Sequence, residues 1–122
     1  MTRNSLTFDS RLEREFFDIA QENGVILDRG STGLPGKPDF QVHGTQTLIF
    51  LHGCYWHRHR CVKGSRVPRT NLTHWNSVFS RQVRRDNNVL YRLRSLGWTV
   101  NIIWECEVYS LREEALLAKI SV

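Results

Sequence analysis

The chain reads as an α/β domain, a mixed sheet flanked by helices, and three observations predict it. Its 122 residues suffice for one core and not for two, so a single domain over residues 1–122 is expected. Strand-sized apolar runs such as Leu48 to Leu51 alternate with helical patterns, giving helix–strand–strand–strand–helix–strand–helix. The composition, 40% hydrophobic and 24% charged, is that of a folded protein and excludes a disordered one. No apolar run approaches the ~20 residues of a membrane span, and the first residues lack the apolar stretch of a secretory signal, so a cytosolic protein is expected.

Each element has a local reason. Residues 10–23 form the first helix: Ser10 with Glu13 three residues on makes a capping box, and Asn23-Gly24 is a stop signal. Leu12, Phe16, Phe17, Ile19 and Ala20 supply its apolar side. Residues 25–27 are a short strand. Residues 31–38 hold two glycines and two prolines and form a loop. Phe40 and Val42, then residues 47–51, read as two strands joined by a turn at His43-Gly44. Residues 52–70, dense in His, Cys, Arg and Gly, have no period. A long helix follows over residues 72–96, closed by Gly97. Residues 98–104 form the last strand, with Trp98 and Trp104 expected in the core, and residues 111–120 the last helix.

The net charge is +5, and its distribution says more than its size. Between Arg58 and Arg94 lie ten basic residues and a single acid, Asp86; every other acid precedes Phe40 or follows Trp104. Interleaved aromatics distinguish this stretch from an ordinary solvated helix face and point to a nucleic-acid backbone as its partner. Lys37, Arg58 and Arg84 are candidate phosphate contacts.

Cys54-x4-His59-x-Cys61 has the spacing of a tetrahedral Zn2+ site that needs a fourth ligand from elsewhere. Cys106, the one remaining cysteine, completes a Cys3His set. Three cysteines are an odd number for a disulfide framework, and a metal would tie a loop with few aliphatic residues to the sheet. The bland alternative, three buried cysteines acting as small hydrophobes, fits poorly with the polar neighbours of Cys54 and Cys61.

Asp39 follows a proline-rich turn and opens a strand, where a carboxylate can hold Mg2+ beside a scissile phosphate. The next strand ends in Leu51-His52, with His57 shortly after. A carboxylate metal ligand and histidines titrating near neutrality are what metal-assisted phosphodiester hydrolysis requires. Asp86 is the natural partner to orient one histidine; an intrahelical ion pair with Arg85 or Arg92 is its alternative. Glu13 divides between a cap and a carboxylate turned inward beside a metal site. Tyr55, Trp56 and Trp75 are aromatic residues in polar surroundings, either wedges for a base stack or packing for the loop.

Taken together, Leu34-Pro-Gly-Lys-Pro-Asp39, His52-Gly-Cys-Tyr-Trp-His-Arg-His-Arg-Cys61, Pro68-Arg-Thr-Asn71, Arg85-Asp86, Gly97-Trp98 and Ile103-Trp104-Glu105-Cys106 resemble the very short patch repair endonucleases. The resemblance implies a restriction-endonuclease-like fold of the PD-(D/E)xK type with a structural zinc. It also implies Mg2+-dependent nicking of one strand of double-stranded DNA at T:G mismatches left by 5-methylcytosine deamination. By position, Asp39 resembles the catalytic Mg2+ ligand, His57 the histidine that activates water, and His52 the histidine at the scissile phosphate. Asp86 resembles the acid that orients the catalytic histidine, and Glu13 a supporting glutamate. Cys54, His59, Cys61 and Cys106 match the zinc ligands; Tyr55, Trp56 and Trp75 match the intercalating aromatics. Leu51 stands where members often carry a polar residue such as Thr; a carbonyl oxygen serving the metal there is kept, whereas a hydroxyl serving it is lost. The segment before the first helix is shorter than the DNA-clasping arm of several members. Residues 49–51 carry no acid-x-Lys pair, in keeping with the repair branch and its histidines. A monomer in the bacterial cytosol or nucleoid, functionally coupled to a cytosine-5 methyltransferase, is expected. A same-fold restriction or nicking nuclease with another target, and a zinc-stapled DNA-binding module without catalysis, are the alternatives.

Overall fold

The computed structural model describes residues 8, 10–30, 33–110 and 113–120. In chain order the elements are α1 (Arg11–Glu22), β1 (Leu27–Arg29), β2 (Phe40–Val42), β3 (Thr47–His52), α2 (Leu72–Ser95), β4 (Thr99–Trp104), α3 (Glu105–Ser110) and α4 (Glu113–Ala118), with one 3-10 turn at Lys63–Ser65. The expected mixed α/β architecture is present. None of the described helices is long and apolar enough to cross a membrane.

The start of α1 and the ends of both long helices follow local chemistry. Ser10, in extended backbone, accepts the Glu13 N–H at 3.2 Å through its side chain. At the far end Gly24 takes φ +78°, Val25 N–H reaches Ala20 O at 2.9 Å and Gly24 N–H reaches Gln21 O at 3.1 Å. α2 closes with the same Schellman geometry: Gly97 at φ +98°, Trp98 N–H to Leu93 O at 3.1 Å and Gly97 N–H to Arg94 O at 3.0 Å.

The sheet order is β1-β2-β3-β4, antiparallel for the first two pairings and parallel between β3 and β4. A parallel pair needs a crossover, and α2 provides it. Phe16, Phe17 and Ala20 of α1 pack with Phe40, Ile49, Ile103, Val108 and Leu116 on one face. Leu48, Phe50, Leu93 and Val100 form the core under α2 on the other. Covered on both faces, β3 is buried at every position but Leu51. Strand alternation then sends Leu48, Phe50 and His52 toward α2, while Leu51 packs with the α1-side core.

Three boundaries differ from the sequence reading. The first strand lies two residues later, at Leu27–Arg29, because Val25 is used to close α1. The last strand starts one residue later than expected, at Thr99, and stops at Trp104, so Cys106 sits in the first turn of α3. The expected last helix, residues 111–120, is described as α4 from Glu113 to Ala118, and α3 precedes it directly after β4; residues 111 and 112 lie outside the described residues, as does most of the segment before Ser10.

Candidate active site

Parallel strand ends open a crevice where side chains from several elements converge. Here β3 ends in His52, directly across from Trp104 at the end of β4. Between these ends and α2 lies a cleft of about 270 Å³, lined by Lys37, Asp39, His52, His57, Gln82 and Asp86 among others. Four residues singled out in the sequence, Asp39, His52, His57 and Asp86, thus meet in one place.

The cleft is built by close approaches. Gly36, at φ +75°, lies so near α2 that a Cβ there would come within 2.5 Å of Val89 Cγ1, and this contact sets the turn leading into Asp39. Asp39 Oδ2 accepts the Leu51 N–H at 2.8 Å, which fixes its carboxylate against β3. His57 Nδ1 lies 2.7 Å from Asp86 Oδ2, and the Gln82 amide donates to Asp86 Oδ1 at 2.9 Å. His52 and His57 stack with centroids 3.9 Å apart and planes 10° apart.

Burial shifts two of these groups in opposite directions. It pushes the Asp39 carboxyl up to about 6, and the Glu13 carboxylate, which also shares a hydrogen bond with it, adds to the rise. It pushes His52 down to about 4, with the nearby His57 adding to the fall. His52 is therefore neutral at pH 7, and its Nδ1 is buried with no hydrogen-bond partner among the described residues.

Main chain and side chain of Glu13 serve different contacts. Its N–H is the cap donor, while its carboxylate, buried on the inward stripe, meets Arg29 Nη1 at 2.9 Å and lies against Asp39. Paired carboxyls at a buried strand start, one whose ionisation is opposed by burial and by its neighbour, gain from a hard cation placed between them. With the Leu51 side chain turned to the other face, what that residue brings to the cleft is main chain. Those features fit a divalent ion held by oxygen.

Beside the cleft, Cys54, His59, Cys61 and Cys106 bring their donor atoms within 4.8 Å of one another. His59 Nδ1 lies 3.7 Å from Cys54 Sγ and 3.5 Å from Cys106 Sγ. A tetrahedral ion with bonds of about 2.3 Å to sulfur and about 2.0 Å to nitrogen spaces such donors about 3.5 Å apart. The cluster can hold a metal. Without one, burial pushes the Cys54 thiol up to about 12, so its thiolate needs a nearby positive charge. Backbone N–H groups already point at the sulfurs, Gly64 to Cys61 and Cys106 to Cys54, each at 3.4 Å. Glu105 fastens the loop: it accepts the Cys54 N–H at 3.2 Å and Lys63 Nζ at 2.9 Å, and Lys63 holds it below the usual carboxylate range.

Tyr55, Trp56 and Trp75 gather around the buried Phe79 of α2, with centroid distances of 5.4, 6.0 and 6.1 Å. Trp56 is 51% exposed. Arg58 sits 4.0 Å over the Phe79 ring and donates to the Arg66 carbonyl at 2.7 Å, so its guanidinium braces the loop. Arg84 is exposed and lines a shallow neighbouring groove with Asn76 and Ser80; Lys37 stands at the cleft itself.

A family model described as DNA mismatch endonuclease Vsr matches residues 5–63. The DNA mismatch endonuclease Vsr of Escherichia coli K12 is 35% identical over 117 residues, covering 93% of this chain and 74% of that protein. The chain belongs to the Vsr family. Other relatives are the type II nicking enzyme V.XorIIP of Xanthomonas oryzae, 35% identical over 84% of this chain and 75% of that protein, and V.NmeAIP of Neisseria meningitidis, 36% identical over 60% and 51%. Membership in this family of DNA endonucleases gives the cleft and the Cys/His cluster of this Vsr-family chain a chemical context.

Sequence reasoning missed Gln82, Glu105, Phe79 and the position of Trp104. Trp104 is only half-buried; it stacks on His59 at 4.2 Å and stands edge-on to His52 at 5.2 Å. Gln82 four residues before Asp86 on one helix, and Glu105 beside Cys106, were the available signals.

Proposed function

We propose that this chain nicks one strand of double-stranded DNA at T:G mismatches arising from 5-methylcytosine deamination, on a restriction-endonuclease-like fold. The observation that carries the reading is the His57–Asp86 pair facing Asp39 within one cleft, 2.7 Å between Nδ1 and Oδ2. Asp39, with the main chain of Leu51, would hold Mg2+, which polarises the scissile phosphate and makes the attacking water more acidic.

The chain's own groups do the rest. Asp86 accepts the His57 Nδ1–H, so His57 presents Nε2 as the base that takes a proton from water. His52, kept neutral by burial, can donate a hydrogen bond to the phosphate without carrying a charge. Glu13 supports Asp39, with Arg29 balancing the pair of carboxyls. In the neighbouring cluster Cys54, His59, Cys61 and Cys106 would hold Zn2+, a closed site with no position for a substrate. Its task is to hold residues 54–61, and so His57, against the sheet.

Tyr55, Trp56 and Trp75 would enter the base stack, with Phe79 as their support. Lys37, Arg84 and, through the loop it braces, Arg58 would serve the phosphates. The protein acts as a cytosolic monomer coupled to a cytosine-5 methyltransferase in this reading. A nicking nuclease with a different target is the second reading, favoured by the names of the Xanthomonas and Neisseria relatives. End-labelled duplexes with T:G or C:G in varied contexts decide between them. Mg2+-dependent nicking confined to one strand of T:G duplexes supports the first, and equal nicking of paired duplexes supports the second.

A further inference from the structure

Asp86 stands in the most cationic part of the chain, with Arg81, Arg84 and Arg85 close by in sequence. Yet among the described residues the one ion pair it makes is with His57. Its second oxygen, Oδ1, is taken by a neutral group, the Gln82 amide at 2.9 Å, one helical turn earlier on α2. Both carboxylate oxygens are thus committed, one to the histidine and one to an amide from the same rigid helix. Asp86 and His57 are only 17% and 23% exposed, so water competes weakly for either bond.

We infer that Gln82 is a positioning residue for the nicking reaction, acting through Asp86 on the His57 ring. This rests on the proposed role of the His57–Asp86 pair. The i, i+4 bond fixes the carboxylate plane, and a fixed plane fixes which way His57 Nε2 points. The choice of residue has a chemical reason. An amide satisfies Oδ1 while leaving the full negative charge to stabilise a protonated His57. A Lys or Arg at this position would neutralise that charge, and a Glu would repel it.

The test is single-turnover nicking of a T:G duplex by metal-loaded Gln82→Leu and Gln82→Met, with duplex affinity measured alongside. The rate constant should fall about tenfold with affinity unchanged, the scale seen when an outer hydrogen-bond partner is removed. In an Asp86→Ala background the same substitutions should do nothing further to the residual rate. In NMR, the His57 Nδ1–H resonance should be downfield and slow to exchange in the parent protein and should broaden in both variants. A full-sized additional loss in the Asp86→Ala background would overturn the inference, as would a loss confined to duplex affinity or an unchanged His57 resonance. Failure of the parent protein to nick DNA would sink the proposed function instead, and the resonance would still decide whether Gln82 holds the pair.

Discussion

Trp104 stacks on His59 with ring centroids 4.2 Å apart and planes inclined by 17°. Its edge meets His52 at 5.2 Å, so one indole touches both the Cys/His cluster and the cleft. Losing it would loosen both. Trp104→Ala should destabilise the protein by about 3 kcal/mol, the low end for removing a large aromatic, because the ring is half-buried. It should also slow nicking, whereas Trp104→Phe, which keeps an aromatic face for His59, should retain most of both. Thermal unfolding and single-turnover rates on the two variants check this.

The metal cluster should be required for folding of the loop over residues 54–66. Metal analysis of protein purified without chelator should give about one zinc per chain. Cys106→Ser should release it and lower stability on the order of 4 kcal/mol, since the ligand crosses from α3 to the loop. Full stability in metal-free protein would remove the cluster from the account.

Asp39 and His52 should leave opposite marks on stability against pH. His52 is lowered from 6.5 to about 4, so the unfolded chain takes up a proton across that window that the folded one refuses, and His52 weakens the fold as pH falls. Asp39 is raised from 3.8 to about 6, so the folded chain keeps a proton there that the unfolded one gives up, and Asp39 weakens the fold as pH rises through that window. The two nearly offset. Asp39→Asn removes only the second, so without added Mg2+ it should stabilise the protein at pH 7 by about 2 kcal/mol. That gain should vanish by about pH 4. Denaturant melts at pH 7, 5.5 and 4 test the sign.

Trp56→Ala should reduce discrimination between T:G and C:G duplexes, because inserting a ring costs a few kcal/mol of unstacking and less at a weakened step. Arg84→Ala should weaken binding to both duplexes alike and reduce the salt dependence by about one ion. Competition binding at two salt concentrations separates them. An equal loss for both duplexes in Trp56→Ala would make that side chain loop packing only.

Much of this was legible in the sequence because the signals were local. Ser10 with Glu13, Asn23-Gly24 and Leu96-Gly97 mark helix ends through hydrogen bonds within a few residues, and both helices follow them. The Cys54–His59–Cys61 spacing similarly announced a cluster that the fold completes with Cys106. What stayed hidden depends on contacts across the chain. Arg29 on Glu13, Glu105 on the Cys54 amide and Trp104 between two histidines join residues 16, 51 and 45 or more positions apart. Nothing in a local pattern distinguishes Trp104, an outer residue of a buried-looking strand, from an ordinary core tryptophan. The start of α3 is local instead: Glu107 accepts the Trp104 N–H at 2.8 Å, so a helix begins right at the strand end, where the apolar run gave no sign of one.

The most direct test of the account is the single-turnover nicking rate of Asp39→Ala on a T:G duplex at saturating protein, with and without Mg2+, beside its duplex affinity. The rate should fall about a thousandfold or more, with affinity held within about threefold, because the change removes the proposed metal ligand and leaves the aromatic and basic contacts in place. Nicking at the parental rate in this variant, or undiminished parental nicking without a divalent ion, would contradict it and move the chemistry out of the cleft.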